Sequence, residues 1–215
     1  MKSSRQNTLP AVAGRGFTLI EMLFVMIIVS LLMALMAPVA NQVIKSNRLG
    51  SAASNLTNQI NLARVTAVRL NKPVEMRFFS YVDAQQPGSN AQYRASQIWV
   101  GDAPYQPLTT FDDGVVIATG TSSGSWSSLL DPAHNGGAGQ EPPKEFTLSR
   151  AAAGTSLAAS TFKFQPDGST NLGGSGHWSL TLAQEQDLAG DVLPANFITI
   201  MVDPVNGSVR TLRPD

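Results

Sequence analysis

Between Arg15 and Lys45 the chain carries a single charged residue, Glu21. From Phe17 to Ala40 twenty of twenty-four residues are apolar, the exceptions being Thr18, Glu21, Ser30 and Pro38. The charge-free stretch Met22–Ala40 is 19 residues long. As a helix it would extend about 28 Å, close to the roughly 30 Å hydrocarbon core of a bilayer. It therefore reads as a membrane segment. A secretory signal peptide has a shorter apolar run that ends at a small-x-small cleavage site, and Pro38-Val39-Ala40-Asn41 is a poor site of that kind. A plain signal anchor fits the length but leaves Glu21 without a role. A carboxylate near the centre of a membrane helix costs about 2.5–3.5 kcal/mol, and less toward an end, where Glu21 lies and could snorkel to the interface.

Composition sharpens the division of the chain. The 215 residues hold 15 Lys+Arg, 15 Asp+Glu and no Cys. The absence of cysteine excludes a disulfide framework, a thiolate zinc site, a thiol nucleophile and a lipidated-cysteine anchor. Charged residues are 14% of the chain, against roughly 25% in an ordinary soluble domain, a bias opposite to that of wholesale disorder. The zero net charge argues against an overall polyanion binder, but it averages unlike segments. Residues 1–16 carry Lys2, Arg5 and Arg15 and no acid, a charge of +3; the remainder, 12 basic against 15 acidic, sums to −3.

Beyond the apolar run the helical pattern becomes amphipathic. Leu49, Ala53, Leu56, Ile60, Ala63, Ala67 and Leu70 form one stripe at alternating steps of four and three. Asn71-Lys72-Pro73 marks the stop, because the proline disfavours helical geometry in the residue before it. A helix from about Phe17 to Leu70 would be about 80 Å long, with a bend or local melting at Pro38. The stripe is rich in alanine and lacks flanking charge pairs, which favours packing on the following domain over a free coiled coil.

Residues 73–215 read as β structure. The expected strands are Val74–Tyr81, Gln97–Gly101, Val115–Thr119, Glu145–Leu148, Thr161–Gln165, Trp178–Ala183, Phe197–Val202 and Ser208–Leu212. Asp167-Gly168 and Asn206-Gly207 are turn signals, the second closing a C-terminal hairpin. Thr121–Pro143, rich in Gly, Ser and Pro, reads as a long surface loop. The small-residue run Ala151–Ser160 has no assignment from pattern. The expected fold class is α+β: a long N-terminal helix packed on an antiparallel β-sandwich.

The string Gly16-Phe17-Thr18-Leu19-Ile20-Glu21, with a basic leader before it and a long apolar helix after it, resembles the class III signal of type IV pilins and pseudopilins. The resemblance implies that a prepilin peptidase cuts after Gly16 on the cytoplasmic face. Phe17 then becomes the N-methylated first residue, Glu21 serves processing and assembly, and Pro38 matches the proline often found within the pilin helix. The implied division is a leader at 1–16, a helix at 17–72 (membrane-spanning over 17–40, amphipathic over 41–72) and a periplasmic domain at 73–215. The implied partners are the peptidase, other pilin or pseudopilin subunits and the inner membrane. Lys45 and Arg48 flank the far side of the run, so charge alone orients it weakly, and the cleavage pattern sets the topology.

Farther along, Ala63-Arg64…Ala67-Val68-Arg69-Leu70-Asn71-Lys72-Pro73-Val74, Phe164-Gln165-Pro166-Asp167-Gly168 and Asn206-Gly207-Ser208-Val209 resemble segments of the H-type minor pseudopilins of type II secretion. A closer resemblance is to the Verru_Chthon cassette protein D group, pilin-like proteins of verrucomicrobial bacteria. It is carried by Tyr93-Arg94-Ala95-Ser96-Gln97, Pro166-Asp167-Gly168-Ser169-Thr170-Asn171-Leu172 and Pro194-Ala195-Asn196-Phe197…Asp203-Pro204-Val205-Asn206-Gly207…Arg210…Arg213-Pro214.

No catalytic constellation stands out, and the expectation is a non-enzyme without cofactor or metal. His134 and His177 are the only histidines, and Gly173-Gly174-Ser175-Gly176 is not a nucleophile elbow. Asp112-Asp113 and Asp203…Asn206 carry oxygen donors without the spacing of a calcium loop, and turn capping is their expected role. Arg210 and Arg213, three apart near the C-terminus, offer at most a weak, salt-sensitive nucleic-acid contact, against the simpler role of charges guarding an edge strand. The leading expectation is a pilin-like structural subunit. The alternatives are a DNA-binding tip pilin and a membrane-anchored periplasmic enzyme.

Overall fold

A computed structural model describes residues 16–85, 90–120, 126–130, 151, 158–174, 178–188 and 192–214, the side chains of 36–40 and 158 excepted. It divides into two compact units, one ending at Val43 and one running from Ile44 to Asp215.

One helix, α1 (Leu19–Leu70), is continuous in its backbone assignment across Pro38. In the first unit its apolar side chains, from Leu19 through Leu35, are exposed. The hydroxyl of Ser30 donates to the carbonyl of Met26 at 2.7 Å, so it satisfies itself within the helix. Among the described residues no helix is long and apolar enough to cross a membrane. The described side chains stop at Leu35, short of the last residues of the apolar run.

In the second unit α1 presents the alternating stripe to a sheet. Leu49, Ala53, Leu56, Ile60, Ala63 and Ala67 are buried with Ala52 in one core, whereas Leu70, at the helix end, is 38% exposed. The helix therefore packs on the sheet through a stripe of leucine, isoleucine and alanine side chains. α1 ends in a Schellman motif: Lys72 N–H donates to Ala67 O and Asn71 N–H to Val68 O, both at 3.3 Å, with Asn71 left-handed at φ 49°. Pro73 then prevents continuation.

The strands are β1 (Val74–Tyr81), β2 (Gln92–Val100), β3 (Ala103–Pro104), β4 (Thr109–Thr110), β5 (Val115–Ala118), β6 (Ala158–Phe164), β7 (Trp178–Gln184), β8 (Phe197–Val202) and β9 (Val209–Leu212). All pair antiparallel, in the order β6-β1-β2-β5-β7-β8-β9, with β3 and β4 also on β2. The α+β class is thus realised as a helix followed by an antiparallel sheet. The expected sandwich takes the form of one continuous hydrogen-bonded path. That path is narrow at β2–β5, where a single pair, Tyr93↔Ile117, makes the connection.

One ion pair crosses beside the narrow joint, and two further contacts tie the β5 segment to the β7 segment next to it. The Arg94 guanidinium makes a bidentate ion pair with Glu185, in the short 3-10 turn Glu185–Asp187, and its Nε donates to Tyr81 O at 3.2 Å. The Glu185 N–H donates to Gly114 O at 2.7 Å. Past the end of β5, the Ser127 hydroxyl donates to Ala118 O at 2.6 Å and accepts the Thr181 N–H at 2.9 Å. A side chain thereby continues the ladder where the strand has stopped.

The inner face of β1 contributes Val74, Met76 and Phe78 to the main core. Phe162 lies parallel to Phe78, with ring centroids 6.2 Å apart, and meets Phe164 edge-on at 5.1 Å. The outer face of β1 is buried as well. Phe79 and Tyr81 form a second small core with Ala95 and Ala159, while Arg77 donates to Glu75 at 2.7 Å and stacks over Trp99 at 3.9 Å.

Several expected boundaries shift. β2 begins at Gln92 rather than Gln97, and β6 begins at Ala158, inside the small-residue run left without an assignment. β3 and β4 were not expected. The expected strand Glu145–Leu148 and most of Thr121–Pro143 lie outside the described residues. Within that loop, the 3-10 turn Ser128–Leu130 buries Leu129 and Leu130.

The two turn signals pack on each other. Gly168 (φ 85°) and Gly207 (φ 65°) are both left-handed. A Cβ on Gly207 would overlap the Gly168 carbonyl oxygen, and would lie 2.9 Å from the Phe164 ring and 3.2 Å from Arg64 Cδ. Thr170 N–H donates to Pro204 O at 3.0 Å, tying the turns together. Asp167 Oδ1 accepts from Ser169 Oγ and N–H at 2.6 and 2.9 Å, which holds its carboxyl below the usual range.

Candidate functional site

The residues singled out at the head of the chain lie at the start of α1. Gly16, Phe17 and Thr18 are non-helical and exposed, Phe17 at 69%. The leader ahead of Gly16, with Lys2, Arg5 and Arg15, lies outside the described residues. Gly16 has no left-handed φ, and a Cβ built on it meets nothing within 4 Å. Nothing in the described fold therefore requires glycine at this position.

Glu21 sits in the first turn of α1 and pairs reciprocally with Thr18. The Glu21 N–H donates to Thr18 Oγ1 at 3.3 Å, and the Thr18 N–H donates to Glu21 Oε2 at 3.4 Å. The bonds are long, but their pattern is that of a capping box, with Thr18 as N-cap and Glu21 three residues on. The first intrahelical bond follows at once, from Met22 N–H to Thr18 O at 3.1 Å. Among the described residues no Lys or Arg pairs with Glu21. Thr18 was not singled out from the sequence. The signal was present in Thr18-x-x-Glu21 ahead of an apolar run, but Glu21 was read only for its charge.

Pro38 lies within α1, and its side chain is outside the description. The two C-terminal arginines do not form one patch. Arg213 is held by Ser46 Oγ at 2.7 Å and Asn196 Oδ1 at 3.3 Å. Arg210 instead lines a cavity of about 500 Å³ with Trp178, Met201, Val205 and Leu212.

The remaining candidates resolve as turns. Asp203 Oδ1 accepts the Val205 N–H at 2.8 Å and the Asn206 N–H at 3.3 Å. Asp112 O accepts the Val115 N–H at 2.9 Å in the turn leading to β5. Among the described residues no group of three His, Asp or Glu side chains could hold a metal ion. His134 and His177 lie outside the described residues. The hydroxyls of Ser127, Ser128, Ser179, Thr181 and Thr199 bond to one another and to backbone, which is the behaviour of a structural cluster.

Comparison with known proteins gives three results. A family model described as the prokaryotic N-terminal methylation motif matches residues 13–37. No characterised protein matches the chain by sequence. Among solved structures, the type IV minor pilin FimU of Pseudomonas aeruginosa is similar at 12% identity and a TM-score of 0.43, covering 79% of this chain and 94% of that one. The matched motif spans Gly16, Phe17, the Thr18–Glu21 cap and the apolar part of α1 as far as residue 37, so the chain carries a prokaryotic N-terminal methylation motif at the head of its long helix.

Proposed function

We propose that this chain is a pilin-like structural subunit, made as a precursor and processed at Gly16–Phe17 by a prepilin peptidase. The leader is removed on the cytoplasmic side and Phe17 is N-methylated. The apolar part of α1 holds the subunit in the inner membrane with the sheet domain outside. From there it joins other pilin-like subunits in a fibre. Such a fibre grows by heterologous contacts, in which the same two surfaces meet at each step without closing a ring. Whether the fibre is a type IV pilus or a secretion pseudopilus rests on the resemblances alone, and the exposed apolar face of α1 suits either.

The observation that carries this reading is the pairing of the methylation motif with a glycine that nothing among the described residues requires. If Gly16 is kept for a peptidase rather than for folding, Gly16→Ala should fold normally and stay uncut. Mass spectrometry of both proteins from cells containing a prepilin peptidase is the test. Wild type should begin at methylated Phe17 and the variant should keep its leader; a mature wild type beginning elsewhere would overturn the reading.

A further inference from the structure

We infer that Thr18 is a positioning residue for leader removal, acting by holding the scissile peptide out of the helix; the inference rests on the proposed processing at Gly16–Phe17. The backbone accounting at the head of α1 makes the argument. The Glu21 N–H has two acceptors within reach of its local geometry. One is Thr18 Oγ1, which it uses. The other is the Phe17 carbonyl, which it would use if α1 began one residue earlier. Extending by the same rule, the Ile20 N–H would bond the Gly16 carbonyl.

That second bond would change the chemistry of cleavage. Hydrolysis requires water to add to the Gly16 carbonyl carbon and the bond to the Phe17 nitrogen to break. It leaves a carboxylate on Gly16 and, after protonation, an ammonium on Phe17. A Gly16 carbonyl bonded along a helix points parallel to the axis toward the next turn, where the Ile20 N–H occupies its oxygen. A non-helical Gly16–Phe17 peptide leaves that oxygen free for the enzyme's donors. In the structure Gly16 and Phe17 are non-helical and exposed, and the helix begins immediately after the cap.

An apolar surrounding biases the competition toward extension. Each unsatisfied N–H at a helix start is costly where water is scarce, so the first turn recruits any acceptor it can reach. The Thr18 hydroxyl and the Glu21 carboxylate provide acceptors that end the helix at a fixed residue. The contribution of Glu21 is geometric as well as electrostatic, and glutamine can fill the same place in a capping box.

The experiment is a time course of leader removal from the full chain in detergent, with purified prepilin peptidase, for wild type, Thr18→Val, Thr18→Ser, Thr18→Asn and Glu21→Gln. A cap worth about 1 kcal/mol favours a helix start at residue 18 over starts farther upstream by roughly fivefold, and that preference is lost with the hydroxyl. Thr18→Val should therefore be cut about fivefold more slowly, by a fall in kcat/KM. Ser and Asn, which cap well but differ in shape from Thr, should restore the rate, as should Glu21→Gln. Carbon chemical shifts of Gly16 and Phe17 in the full-length variants supply a readout independent of cleavage, moving toward helical values only in Thr18→Val. Equal rates for wild type and Thr18→Val overturn the role of Thr18. So does a slow Thr18→Asn whose shifts remain non-helical, because the enzyme would then be reading the threonine itself. A wild type left uncut overturns the processing reading instead.

Discussion

Gly207 shows how much a single hydrogen can decide. Its φ of 65° is strained for a side chain, and a Cβ placed on it would run into the Gly168 carbonyl, the Phe164 ring and the Arg64 stem. Gly207→Ala therefore meets two separate penalties, left-handed backbone strain and steric overlap with a neighbouring turn. Each is of the order of 1–3 kcal/mol. Urea denaturation should show a loss of more than about 2 kcal/mol, whereas Gly174→Ala, where a Cβ meets nothing, should be close to neutral. Comparable losses at both positions would contradict this account of the turns.

Tyr93 offers a titration at the same scale. Burial raises its phenol above the ordinary value of 10.0, opposed by a smaller effect of a hydrogen bond with Ser160. As pH climbs, the unfolded chain gives up this proton first. Its contribution to stability is therefore complete below about pH 10 and is lost as pH rises through the folded-state value. Denaturation midpoints should fall above pH 10 more steeply in wild type than in Tyr93→Phe. Parallel curves would assign the alkaline loss to other groups.

At the scale of elements, the β2–β5 joint stands out. One residue pair joins the two halves of the sheet there, and the Arg94–Glu185 ion pair spans the gap beside it, with side chains 6% and 13% exposed. A buried pair contributes little over an apolar replacement, but removing one partner strands the other charge, at a cost of about 3–5 kcal/mol. Glu185→Ala should thus destabilise by that order, and Arg94→Met combined with Glu185→Leu should cost much less. A double variant as weak as the single one would show that the backbone contacts of Arg94, and not the pair, hold the joint.

The joint also marks where the sequence stopped being readable. β1 and β8 have the expected ends, and the α1 stripe is buried as its spacing requires except at Leu70; in β8 and α1 one face is buried, and a half-buried element writes its period into the residue order. The first half of β2 does not. Arg94 is buried by its pairing with Glu185, ninety-one residues away, and Ser96 by its bond to Gln59 at 2.7 Å. Such polar residues look like loop until their distant partners are known. Ala158–Ser160 escaped notice for the opposite reason: residues small enough to pass anywhere carry no pattern. At the candidate site, Gly16, Phe17 and Glu21 stood out in local order, while the Thr18-x-x-Glu21 capping signal was hidden behind the charge of Glu21 until the hydrogen bonds drew it out.

At the scale of the whole molecule, charge and hydrophobicity are sorted by position. The long apolar surface from Phe17 to Leu35 is exposed, with Glu21 at its head and no cationic partner among the described residues. A carboxylate placed this way is tolerated in apolar surroundings only when it is paired. On the proposed reading, the amine of Phe17 on a neighbouring subunit supplies the missing charge and so selects the register of assembly. Glu21→Ala should then still be processed but fail to enter fibres. Glu21→Gln should behave like it, because a cap without charge cannot select an amine. Either variant co-purifying with fibres at the wild-type level would sink the pairing argument.

The ridge by which α1 lies on the sheet has a mechanical side. The buried contacts from Leu49 to Ala67 extend for about 27 Å along the helix axis. At the N-terminal end of this stretch, Lys45 O accepts from Gln184 at 3.1 Å, and Ser46 accepts from Arg213. Tension applied along α1 from its N-terminal end would meet these polar ties first. It would then act parallel to a long interdigitated surface, where every side chain must slip at once. Seams loaded in shear fail at far higher force than seams peeled from one end. A subunit gripped by its helix would therefore keep its sheet domain folded under loads that would strip the same helix away if it were pulled sideways.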